Sequence, residues 1–287
     1  MQFRIRSSLA FAAAVLTAST AFAQSSDHDK YSGAPLPPDK KRQVPSPITD
    51  RFYVRGTVFS AKLATNLRVD SSAGLPGTVV SAESDLGLRA SKVQGRMELM
   101  FRLRERNRLR VDYFETDRSG QKVLSRTVDF GNEVFNINDL AATSLDVRMF
   151  GLTYTYSLLR TERFELGTGL GVYFIEGDAR GQVPARQLSQ EVSGVAPFPT
   201  LALDGTWRIS TRFAFVARGQ YLRATVNGNS GSLGDYHADF QYRWRPNFAL
   251  GLGYSELKML LQVTGGSFPG QLDLSVKGPE AFFRVSF

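Results

Sequence analysis

The sequence predicts an all-β fold: one antiparallel up-and-down barrel of about ten strands that crosses a membrane. Three observations carry that expectation. From Arg51 onward the chain divides into ten period-two segments, at about 51–61, 92–104, 108–116, 143–158, 163–176, 196–208, 212–224, 234–244, 247–261 and 271–287. Their connections alternate strictly in length. Tight ones at Glu105–Asn107, Leu159–Glu162, Ile209–Thr211 and Arg245–Pro246 separate long ones at about 62–91, 117–142, 177–195, 225–233 and 262–270. Finally, the chain begins like an exported protein yet offers no later apolar run long enough for a membrane helix. A closed barrel is then the one membrane fold that pairs every backbone group in lipid. Twelve strands, recruiting the apolar part of 117–142, and eight are the alternatives; twelve would put Arg126 on the lipid face with Leu124 and Val128.

Residues 1–23 read as a signal peptide. Arg4 and Arg6 precede an apolar run from Leu9 to Leu16, and Ala21-Phe22-Ala23 supplies a small-residue cleavage site. The chain has no Cys, which excludes disulfides and a lipidated N-terminal Cys. Residues 24–50, rich in Ser, Pro, Asp and Lys, read as a flexible periplasmic leader, and 51–287 as the barrel. The signal takes two of the 35 Lys and Arg and none of the 27 Asp and Glu, so the net charge falls from +8 to +6. In an exported chain that surplus points to anionic membrane surfaces and to Arg–acid pairs inside a barrel, not to nucleic acid.

Within the barrel, alternation sorts the side chains. Met97, Leu99, Phe101, Leu103, Leu109, Val111, Tyr113, Leu166, Leu170, Val172, Leu201, Leu203, Phe213, Phe215, Ala217, Ala238, Phe240, Leu250 and Leu252 fall on the lipid side. Arg96, Glu98, Arg102, Arg110, Asp112, Asp146, Arg148, Glu165, Asp204, Arg208, Arg218, Asp239, Arg243 and Arg284 fall on the lumen side. Arg on the lipid face at mid-depth costs ~2–4 kcal/mol, so this separation is informative. Aromatics gather at both strand ends, as interfacial girdles require: Phe52, Phe101, Tyr156, Phe164, Trp207, Phe213, Tyr242, Trp244, Phe248 and Phe287 near the short turns, Tyr113, Phe174, Tyr221, Tyr236 and Tyr254 near the long loops. In two strands the apolar residues change parity, from Leu145 and Val147 to Leu152, Tyr154 and Tyr156, and from Leu272, Leu274 and Val276 to Phe283 and Val285. These changes predict bulges near Met149–Gly151 and Gly278-Pro279.

The last strand, ending in Phe283, Val285 and a terminal Phe287, resembles the closing strand of Gram-negative outer-membrane β-barrels. The resemblance implies that these three residues belong to the signal read by the barrel-assembly machinery. It also implies an outer-membrane location, with leader and C-terminus on the periplasmic side and outer-membrane lipid and lipopolysaccharide around the barrel.

Several features bear on function. The lumen charges suit a hydrogen-bonded plug or, given the Arg excess, a narrow pore for small anions; inward Gly167, Gly169, Gly171, Gly251 and Gly253 would widen it. The run Arg102, Arg104, Arg106, Arg108 and Arg110 straddles the first short turn and suits a charged rim facing headgroups or an anionic partner. Val123, Leu124, Val128, Phe130, Val134, Phe135 and Ile137 make the loop 117–142 too apolar to hang free, so it extends the strands or folds over the mouth; this loop and 62–91 are the candidate sites for an extracellular ligand. Asp235-Tyr236-His237 places a carboxylate beside a His, the pattern of an oriented general base. An acid–x–His pair at a strand end of a ten-stranded barrel resembles the omptin proteases, whose site adds an aspartate pair across the mouth; here only Glu83 and Asp85 can stand opposite. The chain departs from omptins in having two Trp, where omptins are rich in them. Ser255 and His237 share an inward parity, which does not fit lipases that work at the lipid-facing wall. With two His, no Cys and no EF-hand spacing, neither a metal nor a cofactor is expected. The expectation is therefore a non-enzymatic barrel acting structurally, through its loops or as a small-solute pore, with an omptin-like hydrolase as the alternative.

Overall fold

A computed structural model of the protein describes residues 45–71, 73, 75–226, 229–264 and 269–287; the expected signal and the leader as far as residue 44 lie outside the described residues. In chain order the strands are β1 (Phe52–Val69), β2 (Val80–Ser81), β3 (Ser91–Arg104), β4 (Asn107–Val123), β5 (Val128–Phe130), β6 (Glu133–Phe135), β7 (Leu140–Arg160), β8 (Phe164–Val183), β9 (Leu188–Arg208), β10 (Phe213–Val226), β11 (Asn229–Arg245), β12 (Phe248–Val263) and β13 (Gly270–Ser286). β2 only adds to the edge of β1, and β5 and β6 form a small separate hairpin. The other ten build the wall, each antiparallel to its chain neighbour. β13 pairs with β1 from Tyr53↔Ser286 to Val69↔Gly270, which closes the tube and leaves no free edge. The four connections expected to be tight all lie at the end that carries the termini, and the five expected to be long rise from the opposite, loop end.

The polarity of the wall inverts partway up. Near the terminal end β7 turns Tyr156, Tyr154, Leu152 and Phe150 outward and Thr155 and Thr153 inward. Higher up the same parity turns Arg148 and Asp146 outward, while Met149, Val147 and Leu145 are buried inside. In β13 the outward sequence runs Phe283, Ala281, Lys277, and the inward one Arg284, Glu280, Val276, Leu274. β12 does the same, with Leu250, Leu252 and Tyr254 outside giving way to Glu256 and Lys258, opposite buried Leu257 and Met259. The apolar band crossed by β8 from Phe164 to Phe174 spans ten residue steps, ~33 Å along the strand and ~25 Å along the axis at a ~40° tilt, which matches a bilayer core. Beyond it the outer face turns charged, as a wall standing in water requires. The strands there bury apolar side chains inward, around a core that includes Leu63, Leu67, Leu145, Val147, Ile175 and Leu274.

This inversion corrects several expectations. Alternation in β7 and β13 runs unbroken through Met149–Gly151 and Gly278-Pro279, so neither place holds a bulge. The environment changes sides and the chain does not. Leu145, Val147, Leu274 and Val276 therefore face the interior, and Asp146 and Arg148 face outward: Arg148 is half-exposed and reaches Glu115 at 3.4 Å and Glu176 at 3.5 Å. Register shifts occur instead beside short turns, at Arg102/Arg104, Ser157/Leu159 and Arg243/Arg245. Much of the long connections is strand, because β8 and β9 stay paired to Val183↔Leu188 and β10 and β11 to Val226↔Asn229. Gly278 is required where it stands, since a Cβ there would lie 2.0 Å from the Ser60 carbonyl oxygen.

Candidate functional site

Three tiers of side chains fill the interior. At the terminal end, residues 45–50 do not trail as leader but fold into the barrel mouth. The amides of Thr49 and Asp50 donate to the Ser46 carbonyl at 3.0 and 3.1 Å, and Ile48 is buried. Asp50 accepts from Arg243 at 2.6 Å and Arg284 at 2.5 Å. Beside this plug Glu165 takes a two-pronged contact from Arg102 at 2.7 and 3.0 Å and a hydrogen bond from Ser157 at 2.6 Å, while Arg108 pairs with Asp204 at 2.5 Å. Of the basic run, Arg102, Arg108 and Arg110 thus turn inward, whereas Arg104 and Arg106 are at the rim. Arg208 keeps the inward parity and is half-buried at the end of β9.

The middle tier is a buried ion-pair network. Arg218 lies 2.5 Å from Glu98, which also accepts from the Tyr53 hydroxyl. Arg55 donates to Asp239 at 2.7 Å and Glu280 at 2.6 Å, with its guanidinium 3.6 Å from the centre of the Phe282 ring. Arg110 pairs with Asp112 at 3.2 Å. Asp235 accepts from Tyr173 at 2.9 Å and lies 3.3 Å from Arg96, and Gln220 donates to the Tyr173 hydroxyl at 2.9 Å. Inward glycines make room for these side chains and do not open a bore. A Cβ on Gly251 would meet the Phe282 ring at 2.2 Å, and one on Gly151 the Tyr173 ring at 2.4 Å.

The loop tier is apolar and lidded. Val80, Ala82, Leu86 and Leu88 from the first long loop, and Leu124, Val128, Phe130 and Phe135 from the second, are all buried in the upper core. Val123, Val134 and Ile137 stay exposed. An apolar cavity of about 20 Å³ lies beneath this lid. Arg118 is pinned there by Glu83 at 2.5 Å and donates to Thr65 at 2.5 Å. Asp85 lies in the loop itself. Burial pushes its carboxyl up, but the Ser81 amide at 3.0 Å and Arg126 at 3.0 Å outweigh that and hold it below the usual range.

These positions separate the residues expected to act together. His237 and Asp235 are not at the mouth: both are 4 % exposed, below the apolar tier, with His237 Nε2 3.1 Å from Asp235 and against Arg96, and Nδ1 3.5 Å from Glu280. Glu83 and Asp85 are committed to Arg118 and Arg126 in the lid. The four do not share a site, and the His–acid pair sits inside a structural network. Among the described residues no cluster of His, Asp and Glu has the geometry of a metal site. Several members of the interior are absent from the sequence-derived set. Tyr53, Arg55 and Glu280 are legible by parity, since each lies two positions from an inward residue. Asp50 carries no periodic signal because it precedes the first strand.

A closed antiparallel ten-stranded tube with an apolar belt, aromatic rings at both borders of that belt and a charged interior has the fold of the Gram-negative outer-membrane β-barrels. No protein-family model matches the sequence, and neither does any curated protein. Among solved structures, the chain is similar to the outer membrane protease OmpT from Escherichia coli, with a TM-score of 0.54 and 10% sequence identity over 82% of this chain and 96% of that one. It is more distantly similar to the attachment invasion locus protein Ail of Yersinia pestis, with a TM-score of 0.36 and 10% identity over 82% and 99% of the two chains. A FadL homologue from Pseudomonas aeruginosa follows, with a TM-score of 0.35 and 9% identity over 83% and 90%. At these identities the likeness is one of fold.

Proposed function

We propose that this protein is an integral outer-membrane barrel whose closed interior makes it a rigid membrane-embedded scaffold, acting through the extramembrane part of its wall and its loops and not as a conduit. The observation that carries this reading is the filled lumen, plugged by Asp50 and its arginines at one end and roofed by Phe130, Phe135 and Leu124 at the other. The inverted upper wall supports it. Strands that continue beyond the lipid with charged outer faces form a stiff platform, and the loops are folded down onto it.

In this reading the loop end faces the cell exterior and the termini the periplasm. Lipopolysaccharide surrounds the outer half of the apolar band. Phe283 and Phe287, exposed on the lipid side of β13, together with Val285, are the residues offered to the assembly machinery. The test is conductance of the refolded protein in a planar bilayer. A silent membrane after verified insertion is the expected result; steady unitary steps would overturn the closed-scaffold reading. Sidedness is read separately at the exposed Ile137, since the chain has no Cys of its own. In Ile137→Cys a membrane-impermeant maleimide should label intact cells, and labelling only after the outer membrane is broken would reverse the orientation.

A further inference from the structure

Immediately inside the plug lies a second cavity of about 30 Å³, lined by Pro47, Arg108, Arg110, Asp204, Arg218 and Arg284 among others. Four of its eleven lining residues are guanidinium-bearing, and all four side chains are at most 11 % exposed. We infer that this chamber binds a small monovalent anion of the halide class, held by Arg108, Arg110, Arg218 and Arg284 and sealed in by residues 45–50.

Charge accounting around the chamber, across the terminal tier and the adjoining part of the middle one, supports the assignment. Arg102, Arg108, Arg110, Arg218, Arg243 and Arg284 face Asp50, Glu98, Asp112, Glu165 and Asp204, and Asp50 alone serves both Arg243 and Arg284. One positive charge is therefore left over in a region shielded from water, where uncompensated charge is costly. Hydrogen-bonding capacity is left unused on both sides of the chamber: the donor Arg108 Nε and the acceptor Asp204 Oδ1 are buried and make no hydrogen bond to a described residue. A cavity of this size exceeds the ~10–15 Å³ needed for one water, so a single small ion fits and a phosphate or carboxylate ligand does not.

The experiment is thermal unfolding of the refolded mature chain in detergent, followed by its tryptophan fluorescence, with gluconate exchanged for bromide or chloride at constant ionic strength. An ion bound only by the folded state raises the melting temperature as its concentration passes the dissociation constant. A rise of several degrees that saturates with halide is expected. Val216→Phe, which fills the chamber from its wall, should still fold into a barrel that melts cooperatively in gluconate but lose the halide dependence. A wild-type melting temperature indifferent to halide would overturn the proposal. It would mean that the opposite surplus in the rest of the middle tier, Arg55 and Arg96 against Asp235, Asp239 and Glu280, balances the charge, and that the chamber holds only water. Persistence of the full halide effect in Val216→Phe would overturn it equally, by placing the ion elsewhere.

Discussion

Replacing Arg218 by Met tests whether the interior is as dry as its geometry implies. Arg218 and Glu98 lie 2.5 Å apart with side chains 6 % and 1 % exposed, so neither has water to fall back on. Met keeps much of the volume and removes the charge, leaving Glu98 with the Tyr53 hydroxyl as its nearest partner. Breaking one side of such a pair costs ~3–5 kcal/mol, since the remaining charge keeps its desolvation penalty. For a chain of this size each kcal/mol moves the melting temperature by roughly 2–4 °C, so the fall should be on the order of 10 °C. The double variant Arg218→Met with Glu98→Leu removes both charges and should recover most of the loss. The cycle is read by urea unfolding of the refolded barrel, with Trp207 and Trp244 as reporters. A single variant within about 1 kcal/mol of wild type would refute the reasoning, because it would require water to reach Glu98 freely.

The inverted wall makes matched predictions at different heights. Leu252→Arg, in the lipid band, should cost ~2–4 kcal/mol, whereas Lys258→Leu, further along the same outer face, should change stability by less than about 0.5 kcal/mol; equal effects on urea midpoints would place both in one environment. Leu274→Ala in the upper core should cost ~2–5 kcal/mol by opening a cavity, a loss that a lipid-facing Leu274 would not show. Asp146 stands directly between Asp117 and Asp178 on neighbouring strands, and burial together with those two charges raises its carboxyl above the ordinary value. A folded-state value raised above the unfolded one makes its ionised form destabilising, with the penalty growing as pH rises above the unfolded value and disappearing in acid. Asp146→Asn should therefore stabilise by ~0.2–1 kcal/mol at neutral pH and have no such effect in acid, where the carboxyl is already protonated; a pH-independent difference would exclude the charge argument.

The parity of β3, β10 and β11 is readable residue by residue, and with it the inward positions of Arg96, Glu98, Arg218, Asp239 and Arg243. Membrane strands must present one face to lipid, and their alternation records that need locally. The strand number and the ordering of short and long turns follow from the same pattern. The lumen-side expectation for Asp146 and Arg148 fails because alternation says which residues share a face and not what that face meets. Lipid lies outside β7 at Leu152 and water outside it at Arg148, and that border is set by the height of the barrel in the bilayer. The pairing of Arg55 with Asp239 and Glu280, across 184 and 225 positions, has no signal in the chain either. Nor has the insertion of Asp50 between Arg243 and Arg284, nor the separation of His237 from Glu83 and Asp85 by the apolar tier. Such contacts exist only once the first and last strands have zipped together and enclosed a common interior. Face and period are properties of neighbours along the chain; partners inside a tube are a property of its closure.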